Sequence, residues 1–470
     1  MKLRVLILLL ALVFRAYDFG RTPAGISDDE ASHGYNAYSL LMTGKDEYGK
    51  SWPLLNRSFG TYASNLYTYM TIVPVKLFNL NAVSVRFVSL VSGLILVILV
   101  TYSLGPAAGF VMAISPVFVF YSRAAFEANL GLMLLLLGIV LAVRKHPYLS
   151  TIILSLSAYA YQVEKILAPL LILFFAAYYR KFAPLIFLIF LIPLIAISFT
   201  PGAGSRAASL AGRGNFVQLY LSYFSPNNLF SRPDPEPKKS FPEVSVFYWW
   251  MIIPFIFGVR KINKLLLISL AVPPAIAALT PDYFSTWRAL PMFLPLAWII
   301  SKGIPNKKLI YILLAVFASV ELYSNLVLLK HEQSVSWGYH YAGLADFVKN
   351  TTDKPVVIDN ARSSPIYIWL ALYNRIPPQK LQTADSQWLK DYYNHVDFSL
   401  DKKIDNVEIR PIFWEKDILV DQILISDSLG ISDFQVKEHF LSLVTTIPDI
   451  NGQPVLFVYR THPELKIHSY

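Results

Sequence analysis

Five carboxylates crowd into ISDDEASHGYNAYSLLMTGKDEYG, residues 26–49: Asp28, Asp29, Glu30, Asp46 and Glu47. Such a carboxylate can take a proton from a hydroxyl as a general base, or hold a divalent cation through oxygen ligands. Each pair also has a plainer reading. Asp28 or Asp29 would be an N-cap with its charge on the helix dipole, and Asp46–Glu47 a solvated turn. Between the pairs, apolar and aromatic residues recur at helical spacing, and Gly44 stands where a helix would stop. The pairs thus flank one short amphipathic helix, and Asp29 is the candidate base. His33 would sit about one turn from Asp29 as a candidate metal ligand, although most lone surface histidines serve no such role.

A second group is cationic. In YSRAAFEANL, Arg123 and Glu127 stand one helical turn apart, which is also the spacing of a simple intrahelical ion pair. Arg86 lies in LNAVSVRFVSL, Lys165 follows Glu164 in YAYQVEKILAPL, and Arg288 lies in YFSTWRALP. All four cations fall at the ends of apolar runs that face the acidic segment. Snorkelling alone would scatter them over both faces, so their convergence predicts a site for an anion such as a phosphate head group. A nucleotide-sugar enzyme would need a Gly-rich strand-to-helix turn or an Asp-x-Asp on a soluble domain, and neither stands at a credible position. The absence of cysteine removes disulfides, thiolate metal sites and a cysteine nucleophile.

The elements that must position these residues are apolar. The 470 residues are 55% hydrophobic with a mean hydropathy of +0.46, which places most of the chain in lipid. The first run, LILLLALVF, is followed directly by Arg15 and reads as an uncleaved span rather than a signal peptide. Further runs lie near 83–104, 107–122, 128–143, 148–162, 166–179, 182–199, 246–259, 265–280, 287–301 and 309–328; several are short enough to imply broken helices. Lys2/Arg4, Arg144-Lys145, Arg180-Lys181, Arg260-Lys261-Lys264 and Lys302-Lys307-Lys308 all land on one face, as the positive-inside rule requires. About eleven spans follow, with outer loops at 18–82 and 201–245, the latter Gly-, Ser- and Pro-rich and expected to be mobile. From about residue 330, KPVVID, DILVDQILIS and QPVLFVYR read as strands, and YAGLADFVKN and ISDFQVKEHFLSL as helices. The expected architecture is a polytopic α-helical membrane domain, 1–329, with a C-terminal extracytoplasmic α/β domain, 330–470. Trp249-Trp250 and the many tyrosines fit an interfacial belt.

The loop DDEASHGYNAYSLLMTGKDEYGKSWPL resembles the signature of the membrane GT-C glycosyltransferases, those related to protein O-mannosyltransferases and the lipid A aminoarabinose transferase. The likeness continues through NAVSVRFVSLVSG, ISPVFVFYSRAAFEANL and YAYQVEKILAPL, covering residues 1–300 in layout. It implies a polyprenyl-phosphate sugar donor, inverting transfer outside the cytoplasm, and an acidic base in the first outer loop. Carried over, that base is Asp29 with Glu30 beside it. Two positions depart: Thr61 stands where an acidic residue is expected, and Lys165 where arginine is expected. The Trp-Trp-Asp of oligosaccharyltransferases is absent, WWM standing at 249–251.

The resulting expectation is single displacement in the cell membrane. An acceptor hydroxyl on a protein, lipid or glycan loses its proton to Asp29 while Arg86, Arg123, Lys165 or Arg288 absorb the charge of the departing prenyl phosphate. Glu127, Asp46, Glu47 and His33 support the site. The acidic pairs could hold a divalent metal, though the cations could do without one. The partners are the lipid-linked donor, the acceptor and membrane lipid, with no nucleic acid. A transporter or flippase of lipid-linked saccharides would also need cations among its spans, but with paired broken helices and sites at mid-membrane.

Overall fold

A computed structural model describes residues 2–204, 214–351, 353–362, 364–396 and 400–467. Of the 201–245 loop expected to be mobile, residues 205–213 lie outside the described residues. Helix α1 (Lys2–Ala16) leads through a loop into α2 (Asp28–Thr43), followed by a hairpin of β1 (Leu55–Ser58) and β2 (Thr61–Ser64). Helices α3 (Leu66–Phe78), α4 (Ala82–Ser103), α5 (Pro106–Ile114), α6 (Pro116–Phe120), α7 (Glu127–Val143), α8 (Pro147–Ser157) and α9 (Glu164–Tyr179) follow. The expected apolar runs form helices, but among the described residues only Ala82–Ser103 and Lys308–His331 are long and apolar enough to cross a membrane unbroken. Pro106, Pro116 and Pro147 open α5, α6 and α8, where the missing N–H of each interrupts the helical ladder. The LYTYMTIVPVKLF stretch, read as part of an outer loop, is helix α3. It leaves Met70, Val73 and Leu77 exposed at helical spacing. Exposed leucines, isoleucines and phenylalanines continue along α1, α9 and Lys308–His331. Such exposed apolar faces suit lipid better than water.

The break between α5 and α6 explains two buried arginines. Pro116 cannot donate to Met112, and the Val117 amide turns to Val246 O at 3.3 Å, so the carbonyls of Met112 and Ala113 lose their helical partners. Arg15, fully buried, fills the gap: its guanidinium donates to Met112 O at 3.2 Å, Ala113 O at 3.0 Å and Ser122 Oγ at 3.1 Å. Arg123 does the same for the end of α1, donating to Phe14 O at 3.2 Å, Arg15 O at 3.1 Å and Thr22 O at 3.2 Å.

The C-terminal portion carries a six-stranded sheet in the order β4-β5-β3-β6-β8-β7. The strands are β3 (Val356–Ile358), β4 (Lys402–Ile404), β5 (Val407–Ile409), β6 (Ile423–Asp427), β7 (Ser442–Pro448) and β8 (Pro454–Arg460). β3 is parallel to β5 and β6, and the other pairs are antiparallel. The three expected strands are β3, β6 and β8. The helix expected over ISDFQVKEHFLSL stops at Glu438, and the SLVTTIP stretch joins β8 as β7. Its β-branched run favours an extended chain once a sheet edge is there to pair with. The buried helix Ile366–Tyr373 fastens this portion to α2, with Trp369 Nε1 donating to Ile26 O at 2.7 Å.

Candidate active site

Helix α2 begins with a capping box. Ser27, not Asp28 or Asp29, is the N-cap: its hydroxyl accepts from Glu30 N at 3.3 Å, and Glu30 Oε2 accepts from Ser27 N at 3.1 Å. The three acidic residues of the first turn then go separate ways. Glu30 turns inward, 1% exposed, into a two-pronged pair with Arg86: Oε1 accepts from Nε at 2.7 Å and Oε2 from Nη2 at 2.8 Å. Ala125 N adds a further bond to Oε1 at 2.8 Å. Asp28 pairs with Lys238 at 2.7 Å. Asp29 lines a cavity of about 100 Å³ together with His33, Glu127 and Trp287.

One wall of that cavity is the β1–β2 hairpin. Ser58 pairs with Thr61 across a two-residue turn, Phe59–Gly60, in which both residues have positive φ, +49° and +80°. This twist suits a hairpin, but a phenylalanine in the left-handed region is unusual. Period-two alternation sends Asn56 and Ser58 into the Asp29 cavity while Arg57 points the other way. Thr61 also lines the cavity, where the resemblance led us to expect an acid. On the opposite wall, His33 Nδ1 and Thr68 Oγ1 share a hydrogen bond at 2.9 Å, and His33 Nε2 stands 3.6 Å from Glu127 Oε2. Asp29, His33 and Glu127 are therefore brought together. Arg123 and Glu127 do not pair, because Arg123 is spent on carbonyls.

The four expected cations do not converge, which corrects the expected anion site. Arg86 is held by Glu30 and by Pro23 O and Gly25 O, at 2.9 and 2.7 Å. Arg123 caps α1. Arg288 bonds Asp282 and, at 2.8 Å, Thr280 Oγ1. Lys165 lines a separate, largely apolar cavity of about 230 Å³ between α9 and the segment Leu191–Phe199. The preceding Glu164 turns inward against α7, where a Cβ on Gly131 would lie 2.9 Å from its Cδ. Its buried Oε2 has no hydrogen-bond partner among the described residues.

Two further cations come from the 201–245 loop, which sequence reasoning passed over. Asp234 anchors that loop by accepting from Thr286 N at 2.7 Å and Thr286 Oγ1 at 2.9 Å. Lys239 is thereby held with Nζ 4.5 Å from the Trp287 ring centroid, and it pairs with Glu236. Lys238 reaches Asp28. Only the LysLys pair beside prolines, in PEPKKSFPE, hinted at this.

Asp46 and Glu47 are not a solvated turn. Asp46 Oδ2 accepts from Tyr392 Oη at 2.5 Å, and its Oδ1 from Lys50 N at 2.8 Å; burial pushes its pKa up to about 6. Glu47 Oε1 accepts from Asn36 Nδ2 at 3.1 Å, and burial pushes this carboxyl up to about 7. Asp46 fastens the outer loop to the C-terminal portion and Glu47 is held by α2, and neither lines the Asp29 cavity. The acidic pairs thus do not meet around a shared point. Among the described residues no group of three or more His, Asp or Glu side chains is arranged to hold a metal ion.

No family model and no curated protein matches the chain. Solved structures do. The crystal structure of ArnT from Cupriavidus metallidurans in the apo state matches with a TM-score of 0.55 at 12% identity, covering 98% of each chain. The same protein bound to undecaprenyl phosphate matches with a TM-score of 0.51 at 13% identity, covering 97% of each. The archaeal oligosaccharyltransferase AglB from Archaeoglobus fulgidus gives 0.46 at 11% identity, over 91% of this chain and 69% of that one. The chain has the fold of ArnT, in keeping with the fold that the sequence resemblance implies.

Proposed function

We propose that the protein is an integral-membrane inverting glycosyltransferase. It moves a sugar from a polyprenyl-phosphate donor to an acceptor hydroxyl on the extracytoplasmic face. The observation that carries this reading is that Asp29, alone among the acidic residues of the first outer loop, faces a cavity together with His33 and Glu127. Asp28 and Glu30 pair with Lys238 and Arg86, Asp46 accepts from Tyr392 of the C-terminal portion, and Glu47 accepts from Asn36 of α2. A fold shared with ArnT, whose structure holds undecaprenyl phosphate, supports a donor of the same chemistry.

In this mechanism Asp29 accepts the proton of the attacking hydroxyl as the bond to the anomeric carbon forms. His33, fixed by Thr68 and Glu127, orients the acceptor or the sugar from the next turn of α2. The prenyl phosphate departs as an anion, so no strong general acid is needed. Lys165, a single cation in an apolar cavity, is the residue we assign to the leaving phosphate, with the prenyl chain along Leu191, Leu194 and Ile195. Arg86 and Arg123 act only by holding the loop that carries α2.

The test is Asp29→Asn, which keeps size and hydrogen bonding but removes the base. Transfer from a synthetic polyprenyl-phosphate sugar should fall about 10²–10⁴-fold, with donor binding retained. Asp28→Asn, on the same helix end, should cost much less. Retained transfer in Asp29→Asn, or an equal loss in both variants, would overturn the assignment. Mass spectrometry of envelope glycans with and without the protein identifies the sugar and the acceptor.

A further inference from the structure

Two buried polar groups on the Asp29 cavity, from distant parts of the chain, are left without a bond. Asn56, on strand β1, is 2% exposed, and its Oδ1 has no hydrogen-bond partner among the described residues. Trp287, just before the helix Leu290–Gly303, buries its indole Nε1 in the same condition. Both residues line the cavity. The Trp287 ring is fixed by other contacts: Lys239 Nζ lies 4.5 Å from its centroid, and the rings of Phe126 and Tyr161 lie at 6.1 and 6.0 Å. Its N–H is therefore held in place yet undonated. A buried donor or acceptor left unmade costs about 1–3 kcal/mol. Two of them on one cavity, beside the candidate base, mark where a ligand completes the bonds.

Asn56 offers an acceptor and Trp287 a donor, which together suit hydroxyl groups, since each hydroxyl both donates and accepts. Ser32, Ser58 and Thr61 share the lining. Charge narrows the occupant further. Asp29 and Glu127 line the cavity, while the two neighbouring lysines are committed elsewhere: Lys238 to Asp28, and Lys239 to Glu236 and the Trp287 ring. A carboxylate or phosphate on the sugar ring would meet like charge there. An ammonium would favour the ionised form of Asp29 and weaken it as a base. An uncharged ring bearing hydroxyls has neither fault. The volume of about 100 Å³ lies well below the roughly 300–1,000 Å³ of sites for larger ligands, which limits the occupant to one sugar residue.

We propose that this cavity selects the transferred sugar as a single uncharged residue, and that Asn56 and Trp287 read its hydroxyls. The proposal rests on the glycosyltransferase reading above and adds the class of sugar carried. Trp287 Nε1 donates to a ring hydroxyl, and a ring hydroxyl donates to Asn56 Oδ1. A sugar lacking those hydroxyls leaves both protein groups unmade, which is how a hydrogen-bonding site rejects close analogues. The hairpin then serves selection. Its alternation turns Asn56 and Ser58 toward the sugar, and Thr61, in place of the acid the resemblance led us to expect, keeps a further carboxylate out of the lining.

The full-length protein in detergent is titrated by displacement of a labelled polyprenyl phosphate. The competitors are polyprenyl-phosphate donors carrying glucose, galactose, mannose or arabinose, and the glucuronic acid and glucosamine counterparts. At least one neutral donor should bind about tenfold more tightly than both charged ones. Asn56→Leu, which is close in shape, and Trp287→Phe, which keeps a ring for Lys239, should each weaken that donor about five- to tenfold. Neither should change the affinity of bare polyprenyl phosphate. Asn56→Leu should also melt no lower than wild type, because it removes an unpaired buried amide, and a merely structural asparagine would behave otherwise. Equal affinity of wild type and both variants for the neutral donor, or no neutral donor preferred over the charged pair, overturns the proposal. Asp29→Asn separates the two claims: it should bind the neutral donor normally while failing to transfer. An Asp29→Asn protein that still transfers, alongside the expected losses in Asn56→Leu and Trp287→Phe, sinks the catalytic assignment and leaves the sugar site standing.

Discussion

Glu30 and Asp29 are adjacent, yet their environments assign them opposite kinds of consequence, and Glu30→Gln tests this directly. The Glu30 carboxylate accepts four hydrogen bonds, from Arg86 Nε, Arg86 Nη2, Ala125 N and Ser27 N. The side chains of the pair are 0% and 2% exposed. Glutamine leaves one oxygen to serve these donors and turns an NH₂ toward the rest, while Arg86 keeps a buried charge without its counter-ion. Breaking a buried pair from one side costs roughly 3–5 kcal/mol. The loss falls on the junction between the start of α2, helix α4 and the α6–α7 connection. Thermal unfolding of the detergent-solubilised protein, followed by size-exclusion retention, should show a clear fall in midpoint, with transfer at low temperature reduced only in proportion to the folded fraction. Glu30→Met with Arg86→Leu, which removes both partners, should recover much of the loss. A Glu30→Gln protein as stable as wild type but inactive would refute this reasoning and make Glu30 part of the chemistry.

Other outcomes follow from the same geometry. Lys165→Ala should weaken binding of a polyprenyl phosphate by about tenfold or more, measured by displacement of a labelled lipid, with a smaller effect for Lys165→Arg. The carboxyls of Asp46 and Glu47 have folded pKa values raised by burial to about 6 and about 7. Their contribution to stability is therefore fully present below the ordinary carboxylate range and is lost as pH rises through those values. The melting midpoint should fall between about pH 4.5 and 7, and Glu47→Gln should flatten that slope; Tyr392, Asn36 and Lys402 are the groups that face the pair. A reporter fused after residue 330 should be active only outside the cytoplasm, and one fused near Lys145 only inside.

How much of this was legible depends on range. Local signals served well: apolar runs became helices, α2 ended at Gly44 although its N-cap is Ser27 and neither of the expected aspartates, and three strand motifs became β3, β6 and β8. What failed were inferences about partners. Arg86 and Arg123 read as anion ligands because a buried guanidinium needs acceptors, and sequence cannot show that those acceptors are Glu30 and carbonyls at helix ends. Pro116 was visible, but that its broken ladder would recruit Arg15 from about a hundred residues away was not. Asp46 and Glu47 read as solvated because their cover, Tyr392 and Tyr367, lies more than 300 residues on. Lys239 was missed for the same reason, its place being set by Asp234 and Trp287. The hairpin was hidden by its turn, since Phe-Gly is not among the usual two-residue signals.

The side-by-side fate of Asn56, Arg57 and Ser58 sets a parity rule on this stretch of chain. Deleting or inserting one residue between Leu55 and Ser58 would leave strand pairing possible but exchange the two faces. A guanidinium would then enter the space beside Asp29, and asparagine would replace the cation over Tyr48 and Trp388. One such change would alter two cavities at once and in opposite senses. Changes of two residues would preserve both. Variation in hairpin length among proteins of this architecture should therefore come in even steps wherever both cavities are in use, and odd steps should accompany a new chemistry on each side.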